Sequence, residues 1–309
     1  GCAEEAGRLT QKAAAELGLV PGIPVFGGGG DATLIGVGAG CVEPGQTHIY
    51  SGTSGWVSTV LDKQVVDLNA MIAGLVGAIR GRYNYFAEME TAGKCLEWVK
   101  DHLALDEIGI YLQKTHVAEG QEKLYSGLYD YLSEIAGREA PGAGGVIFTP
   151  WIHGNRCPFE DANAAGMFFN ISINTDKTQM IRAVIEGICY HMRWMLECEA
   201  SKVKTSDTIR FVGGGALSPV TCQILADITG RKIETVPGVQ DVGAVGAALL
   251  AAVGAGVFES LDMAGRMIRA DHEYIPDPAN REVYDRNYRV FKQLYKSNAA
   301  NFKILNEIK

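Results

Sequence analysis

Three features are missing from this sequence: paired cysteines, an excess of basic charge and a long apolar run. None of the seven cysteines belongs to a Cys-x-x-Cys pair and the six histidines show no metal-ligand spacing, so zinc and thioredoxin chemistry are not expected. The net charge of −8 argues against binding to nucleic acid or to an anionic membrane surface. The longest apolar stretch, 242–258, is short and rich in glycine, which favours a buried helix over a membrane span.

The use of cysteine also predicts where the protein resides. The seven residues are scattered, and several lie in apolar helical runs, where a free thiol behaves as a small hydrophobic side chain. We therefore expect a reduced, cytoplasmic protein, and no signal peptide is recognised. The 309 residues are enough for one large or two ordinary domains. Because the chain begins Gly1-Cys2 directly before a helix-like run, we expect it to start within a larger protein.

Glycine, by contrast, is abundant, and it gathers at the ends of predicted strands. Four glycines follow a strand that ends at Phe26, and Asp31 then opens a helix of small residues. A second turn, Gly52-Thr53-Ser54-Gly55, joins two strand-like runs, and a third, 213–215, ends another strand. Bare backbone, hydroxyl groups and helix N-termini at strand ends suit the binding of phosphate. The three loops therefore predict a phosphate-handling site.

Helical and strand patterns alternate along most of the chain. Strands are predicted at 23–26, 47–50, 56–61, 146–148, 208–212 and 232–236. Helices are predicted at 4–19, 32–41, 92–105, after an Asp176 cap, at 217–229, at 243–252 and from Asp277-Pro278 onward, with helix and loop mixed over 106–145. This order predicts a layered α/β domain with a mixed sheet.

Each motif also has an ordinary structural explanation. Asp31 would serve equally as a helix cap, and on glycine context alone the cap and a catalytic base are about even. A lone Gly-Thr-Ser-Gly is usually a hairpin turn. No Walker A motif is present, and neither 213–215 nor 36–40 meets the Rossmann fingerprint, so 36–40 is interpreted as close helix packing.

Three charged or titratable residues are interpreted structurally. Arg156 is expected to hold its own loop by an ion pair rather than to bind phosphate. Glu186 and His191 are interpreted as a solvated or core-edge pair on the long helix that follows Asp176.

Taken in order, the motifs resemble the carboxyl-terminal half of the FGGY carbohydrate kinases, most closely the xylulokinases. The resemblance covers nearly the whole chain, and each motif is weak alone while the ordered series is strong. It rests on Gly27 to Asp31, Gly52 to Gly55, Gly93 to Trp98, Gly154 to Pro158, Gly166 to Asn170, Gln179 to Gly187, Gly213 to Ala216 and Gly243 to Ala248.

The resemblance implies a fold and an activity. The fold is the actin-like, ribonuclease-H-like ATPase architecture, an α/β fold with a mixed sheet flanked by helices, here as a fragment of a two-domain kinase. Residues 1–45 would be the tail of the first, sugar-binding domain, including the Asp31 loop, and 46–309 the nucleotide-binding domain. The implied reaction is ATP-dependent phosphorylation of a sugar hydroxyl, D-xylulose to D-xylulose 5-phosphate first.

Two other functions stay open at this point. One is a kinase of the same family for another sugar or polyol, such as gluconate, glycerol, fuculose or rhamnulose. The other is a non-catalytic actin-like module that binds a nucleotide. The expected partners are a sugar and ATP with Mg²⁺, whose usual carboxylate ligand lies outside this chain, and a homodimer. This chain alone is expected to be inactive as a kinase.

The resemblance also assigns site residues. Asp31 would be the catalytic base, and Asp31 and Ala32 would contact the sugar. No metal ligand is assigned. The nucleotide-binding residues would be Gly52, Thr53, Ser54, Gly93, Glu97, Gly214, Gly215, Ala216 and Ser218.

The sequence departs from the family pattern at two places. Asn170 stands where the family usually has glycine. An asparagine that often follows the Gly-Gly-Ala loop as a nucleotide contact is replaced by Leu217-Ser218-Pro219, and Ser218 or Gln223 is the candidate substitute.

Overall fold

Strands and helices alternate along most of the chain, as the sequence pattern predicts. The computed structural model describes residues 1–103 and 127–307, and these contain the following elements. The strands are β1 (Glu5–Arg8), β2 (Pro24–Phe26), β3 (Thr47–Ser51), β4 (Gly55–Leu61), β5 (Val66–Asp67), β6 (Ile72–Val76), β7 (Tyr83–Met89), β8 (Ile147–Thr149), β9 (Met167–Phe169), β10 (Thr208–Val212), β11 (Lys232–Glu234) and β12 (Glu273–Tyr274). The helices are α1 (Gln11–Leu17), α2 (Asp31–Gly38), α3 (Gly93–His102), α4 (Leu128–Arg138), α5 (Lys177–Ala200), α6 (Pro219–Thr229), α7 (Val242–Gly254), α8 (Leu261–Arg266) and α9 (Arg281–Asn306).

One large mixed sheet organises the described residues, in the order β12-β11-β10-β3-β4-β7-β6-β5. Strands β3, β10 and β11 run parallel, whereas the remaining neighbours pair antiparallel. Parallel strands end at the same edge of a sheet. The turn after β3 and the loop after β10 therefore meet at one edge, which is where the sequence predicts a phosphate site.

Helices cover both faces of the sheet. Successive side chains of a strand point to opposite faces, so neighbouring strand residues contact helices on different sides. On one face Thr59 of β4 donates a hydrogen bond to Glu199 at the end of α5, with 2.6 Å between the oxygens. On the other face His48 of β3 lies against Gly36 of α2. The fold is thus the predicted α/β architecture with a mixed sheet flanked by helices.

Helix α5 begins where the sequence places its cap. The Asp176 carboxylate accepts a hydrogen bond from the Gln179 amide at 2.8 Å, and the Gln179 side chain accepts one from the Asp176 amide. This reciprocal capping box satisfies two amides that the helix itself leaves unpaired. The cap fixes the start of a 24-residue helix most of whose residues are buried.

Helices α2 and α7 touch through glycines. A Cβ atom at Gly38 would overlap the Val242 carbonyl oxygen, and one at Gly246 would overlap the Leu34 carbonyl oxygen. The two backbones can approach this closely only because both positions lack a side chain. The interpretation of residues 36–40 as close helix packing is therefore confirmed.

The predicted helix over residues 4–19 is wrong in its first half. Residues Glu5–Arg8 form β1, which pairs antiparallel with β2, and only Gln11–Leu17 is helical. The Thr10 hydroxyl accepts a hydrogen bond from the Ala13 amide, and Gly18 ends the helix in the left-handed conformation. The apolar spacing did not distinguish these elements, because pairing with β2 decides the strand.

Other elements were not predicted. Strands β5, β6 and β7 extend the sheet beyond the predicted hairpin, and β9 and β12 were missed as well. Of the mixed segment 106–145, residues 106–126 lie outside the described residues, and α4 supplies the predicted helix. Among the described residues, no helix combines the length and apolar character needed to cross a membrane.

The interpretation of Glu186 and His191 as a solvated or core-edge pair is also wrong. Both side chains are fully buried and they have different partners. Glu186 accepts hydrogen bonds from the Arg182 guanidinium at 2.7 Å and from the Gly142 amide at 2.9 Å. His191 accepts one from the Trp151 indole at 3.1 Å, and burial lowers its pKa to about 4. Both residues hold the core around α5 together.

Asn170 keeps the backbone shape that glycine usually provides. Its φ of 68° lies in the left-handed region, which asparagine tolerates better than most residues. Its side-chain amide also donates a hydrogen bond to the Gly145 carbonyl at 3.2 Å. This departure from the family pattern is therefore accommodated locally.

Candidate functional site

A cavity of about 440 Å³ opens at the edge of the sheet where β3 and β10 end. Its volume lies in the range of small-molecule sites. Its walls come from the end of β3 and the turn that follows, from α3, α4 and the loop before α6, and from the segment before α7. The lining residues are Tyr50, Ser51, Gly52, Thr53, Gly93, Lys94, Leu96, Glu97, Tyr129, Asp130, Ser133, Gly213, Gly214, Gly215, Leu217, Ser218, Thr221 and Gln240.

Most of the predicted nucleotide residues meet in this cavity, although they come from three separate parts of the chain. Ser54 and Ala216 do not line it, and Ala216 is buried. The residues that do are Gly52, Thr53, Gly93, Glu97, Gly214, Gly215 and Ser218. Their roles in binding a nucleotide stay predictions.

The turn after β3 is joined to the start of α3 by backbone hydrogen bonds. The Gly93 amide donates to the Gly52 carbonyl at 2.8 Å, and the Ala92 and Lys94 amides donate to the Thr53 carbonyl at 3.0 and 3.2 Å. A Cβ atom at Gly93 would lie 2.5 Å from the Gly52 oxygen. The glycine at position 93 is therefore required by this backbone contact.

The loop after β10 packs against β3. The Gly213 amide donates to the Val239 carbonyl at 2.8 Å, and the residue has a φ of 89°. A Cβ atom at Gly215 would lie 2.7 Å from the Ser51 hydroxyl, whereas one at Gly214 would have only contacts of 3.6 Å or longer. Of these glycines, Gly214 is the one at which an added methyl group would meet no close contact.

Only one of the two candidate substitutes for the family asparagine lines the cavity. Gln223 does not line the cavity; its side-chain amide donates to Asp227 and to the Ile275 carbonyl, both at 2.8 Å. Ser218 does line it, while its hydroxyl caps α6 by accepting from the Thr221 amide at 3.1 Å. Gln240, which the sequence did not suggest, faces the same space. Of the two candidates, the geometry favours Ser218.

Sequence reasoning missed several other lining residues. Tyr50 and Ser51 directly precede the Gly-Thr-Ser-Gly turn on the same strand, so their position was a usable signal. Tyr129 and Gln240 reach the cavity from distant segments, and no local pattern indicates them. Sequence motifs therefore predict only part of the set of residues that lines the cavity.

Asp31 lies outside the cavity. It is exposed and is the first residue of α2, and its carboxylate accepts a hydrogen bond from the Ala32 amide at 2.8 Å. Gly30, and not Asp31, occupies the cap position of this helix. Ala32 is half-buried and does not line the cavity either. The catalytic role of Asp31 and the sugar contacts of both residues stay predictions.

Arg156 acts as predicted. Its guanidinium pairs with Glu88 of β7 at 2.8 Å and with Glu90, just after that strand, at 2.5 Å. The two carboxylates raise the pKa of the arginine further. The loop that carries Arg156 is therefore pinned to the sheet by ion pairs.

The cavity offers little to a metal ion. The two carboxylates that line it are engaged, Glu97 by Lys94 at 2.7 Å and Asp130 by another partner. Over the described ranges, no group of three histidine, cysteine, aspartate or glutamate side chains is placed to hold a metal. The described residues of the cavity therefore offer no preformed site for Mg²⁺.

Comparison with known proteins agrees with the geometry. Residues 48–255 match the model of the carboxyl-terminal domain of the FGGY family of carbohydrate kinases. The chain is 28% identical to a xylulose kinase of Staphylococcus epidermidis, over 94% of this chain and 54% of that protein. It is 28% identical to a gluconokinase of Bacillus licheniformis, over 91% and 53%, and 32% identical to an autoinducer-2 kinase of Yersinia pestis, over 90% and 51%.

A solved structure supports the fold. The ligand-bound xylulose kinase from Lactobacillus acidophilus superposes with a TM-score of 0.82 at 23% identity, over 98% of this chain and 58% of that one. The chain spans about half the length of the curated relatives it matches. Since the family model covers more than half of the chain, we conclude that the chain belongs to the FGGY family of carbohydrate kinases.

Proposed function

We propose that this chain supplies the nucleotide site of an ATP-dependent kinase that phosphorylates a sugar hydroxyl. The observation that carries the proposal is the cavity itself, where glycine loops from the ends of β3 and β10 meet the start of α3. Bare loop backbone and hydroxyl groups of Thr53 and Ser218 suit phosphate oxygens. A module that only binds nucleotide fits the same cavity, but family membership favours the kinase.

In the proposed reaction Asp31 accepts the proton of the attacking sugar hydroxyl. Phosphoryl transfer passes through a loose transition state, so the protein contributes mainly by positioning and by charge stabilisation. ATP with Mg²⁺ would supply the phosphoryl group, and the loops would hold its phosphates. The proposed division into a sugar-binding part, 1–45, and a nucleotide-binding part, 46–309, follows from these roles.

D-Xylulose is the proposed substrate. A xylulose kinase is among the relatives, but gluconokinase and autoinducer-2 kinase match at comparable identity, so the support is at the level of the family. Sugar specificity depends on hydrogen bonds to particular hydroxyls, and a mismatched site loses several orders of magnitude. We expect the complete gene product to prefer D-xylulose over glycerol and L-fuculose by at least ~10²-fold in kcat/KM.

A coupled assay of ADP release decides the substrate. The complete gene product is tested at saturating ATP with D-xylulose, gluconate, glycerol, L-fuculose and L-rhamnulose. A higher kcat/KM for any competitor overturns the assignment to xylulose and leaves the kinase intact. Absence of ADP release with every sugar in this panel would argue against the proposed function itself.

The same assay on the 309-residue chain separates binding from catalysis. We expect it to bind ATP but to release ADP very slowly, because Asp31 is exposed and does not line the cavity between the glycine loops. Rapid sugar-dependent turnover by this chain would contradict that expectation.

The cytoplasmic location and the homodimer stay predictions. Light scattering of the purified protein tests the dimer.

A further inference from the structure

Tyr50 occupies a special place in the cavity. It is the penultimate residue of β3, is half-buried and lines the cavity between the two glycine loops. A Cβ atom at Gly52 would overlap the Tyr50 hydroxyl, and one at Gly213 would lie 2.9 Å from the other edge of the ring. The tyrosine ring therefore fits between both loops, and both must be bare to admit it.

Packing against one face holds the Tyr50 ring in place. It stacks on the indole of Trp56 with 4.0 Å between centroids and an interplanar angle of 18°. The Trp56 indole in turn donates a hydrogen bond to His48 at 3.1 Å, and His48 lies against Gly36 of α2. Trp56 and His48 are buried, so this stack fixes the orientation of Tyr50 and the direction of its hydroxyl.

The hydroxyl has no hydrogen-bond partner among the residues that the structure describes. Several backbone amides of the surrounding loops are already engaged by protein carbonyls, including those of Gly52, Gly93, Lys94 and Gly213. Such amides cannot be counted as free donors for a phosphate. A fixed phenol that is open to the cavity and lacks a partner is a ready donor.

We propose that the Tyr50 hydroxyl donates a hydrogen bond to a phosphate oxygen of the nucleotide bound between the glycine loops. The proposal rests on the proposed function, since it assumes a nucleotide in this cavity. A hydrogen bond to a charged group is stronger than a neutral one, and a preoriented donor loses little rotational freedom on binding.

The test compares Tyr50→Phe with Tyr83→Phe in the 309-residue chain. Phenylalanine keeps the ring, and with it the stack on Trp56, but removes the hydroxyl. Tyr83 is a half-buried tyrosine of β7 that does not line the cavity, so it serves as the matched control. Dissociation constants for ADP and for adenosine are measured by calorimetry, and Trp56, stacked on Tyr50, adds a fluorescence signal of binding.

We expect Tyr50→Phe to raise the Kd for ADP about tenfold, the scale of a lost hydrogen bond to a charged group. The Kd for adenosine, which has no phosphate, should not change, and Tyr83→Phe should bind both ligands as the unmodified chain does. An unchanged Kd for ADP, or an equal loss for adenosine, overturns the inference. Failure of the unmodified chain to bind ADP overturns the proposed nucleotide site, and this inference with it.

Discussion

The cavity proposed to bind the nucleotide and the Asp31 loop are built in contrasting ways. The cavity stands on the central strands β3 and β10, and its loops are tied to one another by backbone hydrogen bonds. The Asp31 loop follows β2 of a two-stranded sheet, and its carboxylate is exposed and bonds only to the next amide within the described residues. One region is a preformed cavity, whereas the other presents a single chemical group.

The contrast indicates that the cavity would bind the nucleotide and that the Asp31 loop would take part in the chemical step. Preorganised donors in a packed setting favour ligand binding without further rearrangement. An exposed carboxylate acts as a base only when a substrate is positioned against it. We therefore expect changes in the cavity to alter nucleotide affinity and changes at Asp31 to alter turnover.

The largest expected effect is at Asp31. In the complete gene product, Asp31→Asn should lower turnover by roughly 10²–10⁴-fold, the usual scale for loss of a general base. The Kd for ATP should stay the same, because Asp31 does not line the cavity. Turnover is measured by ADP release and affinity by calorimetry.

The matched control for this prediction is Asp62→Asn, which neutralises another exposed aspartate. It should change neither quantity. Near-normal turnover of Asp31→Asn would return Asp31 to a structural role at the start of α2. If Asp31→Asn also lost affinity for ATP, the assignment of binding to the cavity and of chemistry to Asp31 would be contradicted.

A second prediction separates two glycines of the cavity. Gly214→Ala adds a methyl group that the protein accommodates, with its nearest atom 3.6 Å away, on the side open to the cavity. We expect the melting temperature to stay constant and the Kd for ATP to rise about tenfold, as for one extra carbon in a fitted pocket. Thermal unfolding and calorimetry on the 309-residue chain measure both.

Gly93→Ala should lower the melting temperature. Its Cβ atom would lie 2.5 Å from the Gly52 carbonyl oxygen, so the turn must shift, and overpacking of this kind costs about 1–3 kcal/mol of stability. A similar clash with the Ser51 side chain applies at Gly215. If Gly93→Ala kept full stability and lost only nucleotide affinity, the backbone contact would not be its reason for being glycine.

A change of stability with pH is expected from the core between β4 and the end of α5. Glu199 is fully buried, and burial raises its pKa to about 8 from the ordinary value of 4.5. The folded state therefore keeps the proton while the unfolded state releases it. The free energy of unfolding should fall between about pH 4.5 and 8, by at most about 1.4 kcal/mol per pH unit.

Glu199→Gln removes this titration and should remove that part of the pH dependence. Burial lowers the pKa of His48 and of His191 to about 4, so both destabilise the fold as the pH falls below 6.5, in the variant as well. The difference between variant and unmodified chain, measured by urea unfolding at several pH values, isolates Glu199. Glu282→Gln, at an exposed position, is the control, and an equal change there would refute the assignment.

The sequence by itself determined the local elements of this protein and the family to which it belongs. The Asp176 cap, the hairpin around Gly52 and the glycines after β10 are encoded by neighbouring residues, because capping and turn geometry depend on short-range hydrogen bonds. Their order along the chain was enough to indicate a carbohydrate kinase. The helix predicted over 4–19 failed where pairing with a second strand outweighed local preference.

Only the tertiary structure decided which residues share the cavity and what each glycine is for. Tyr50 and Gln240 are far apart in sequence, and their meeting depends on the parallel order of β3, β10 and β11. Gly93 and Gly214 look alike in sequence, yet a Cβ atom at Gly93 would clash with a backbone carbonyl, whereas one at Gly214 would make only ordinary van der Waals contacts. The physical reason is that steric contact depends on the atoms brought together by the whole fold, which local spacing does not record.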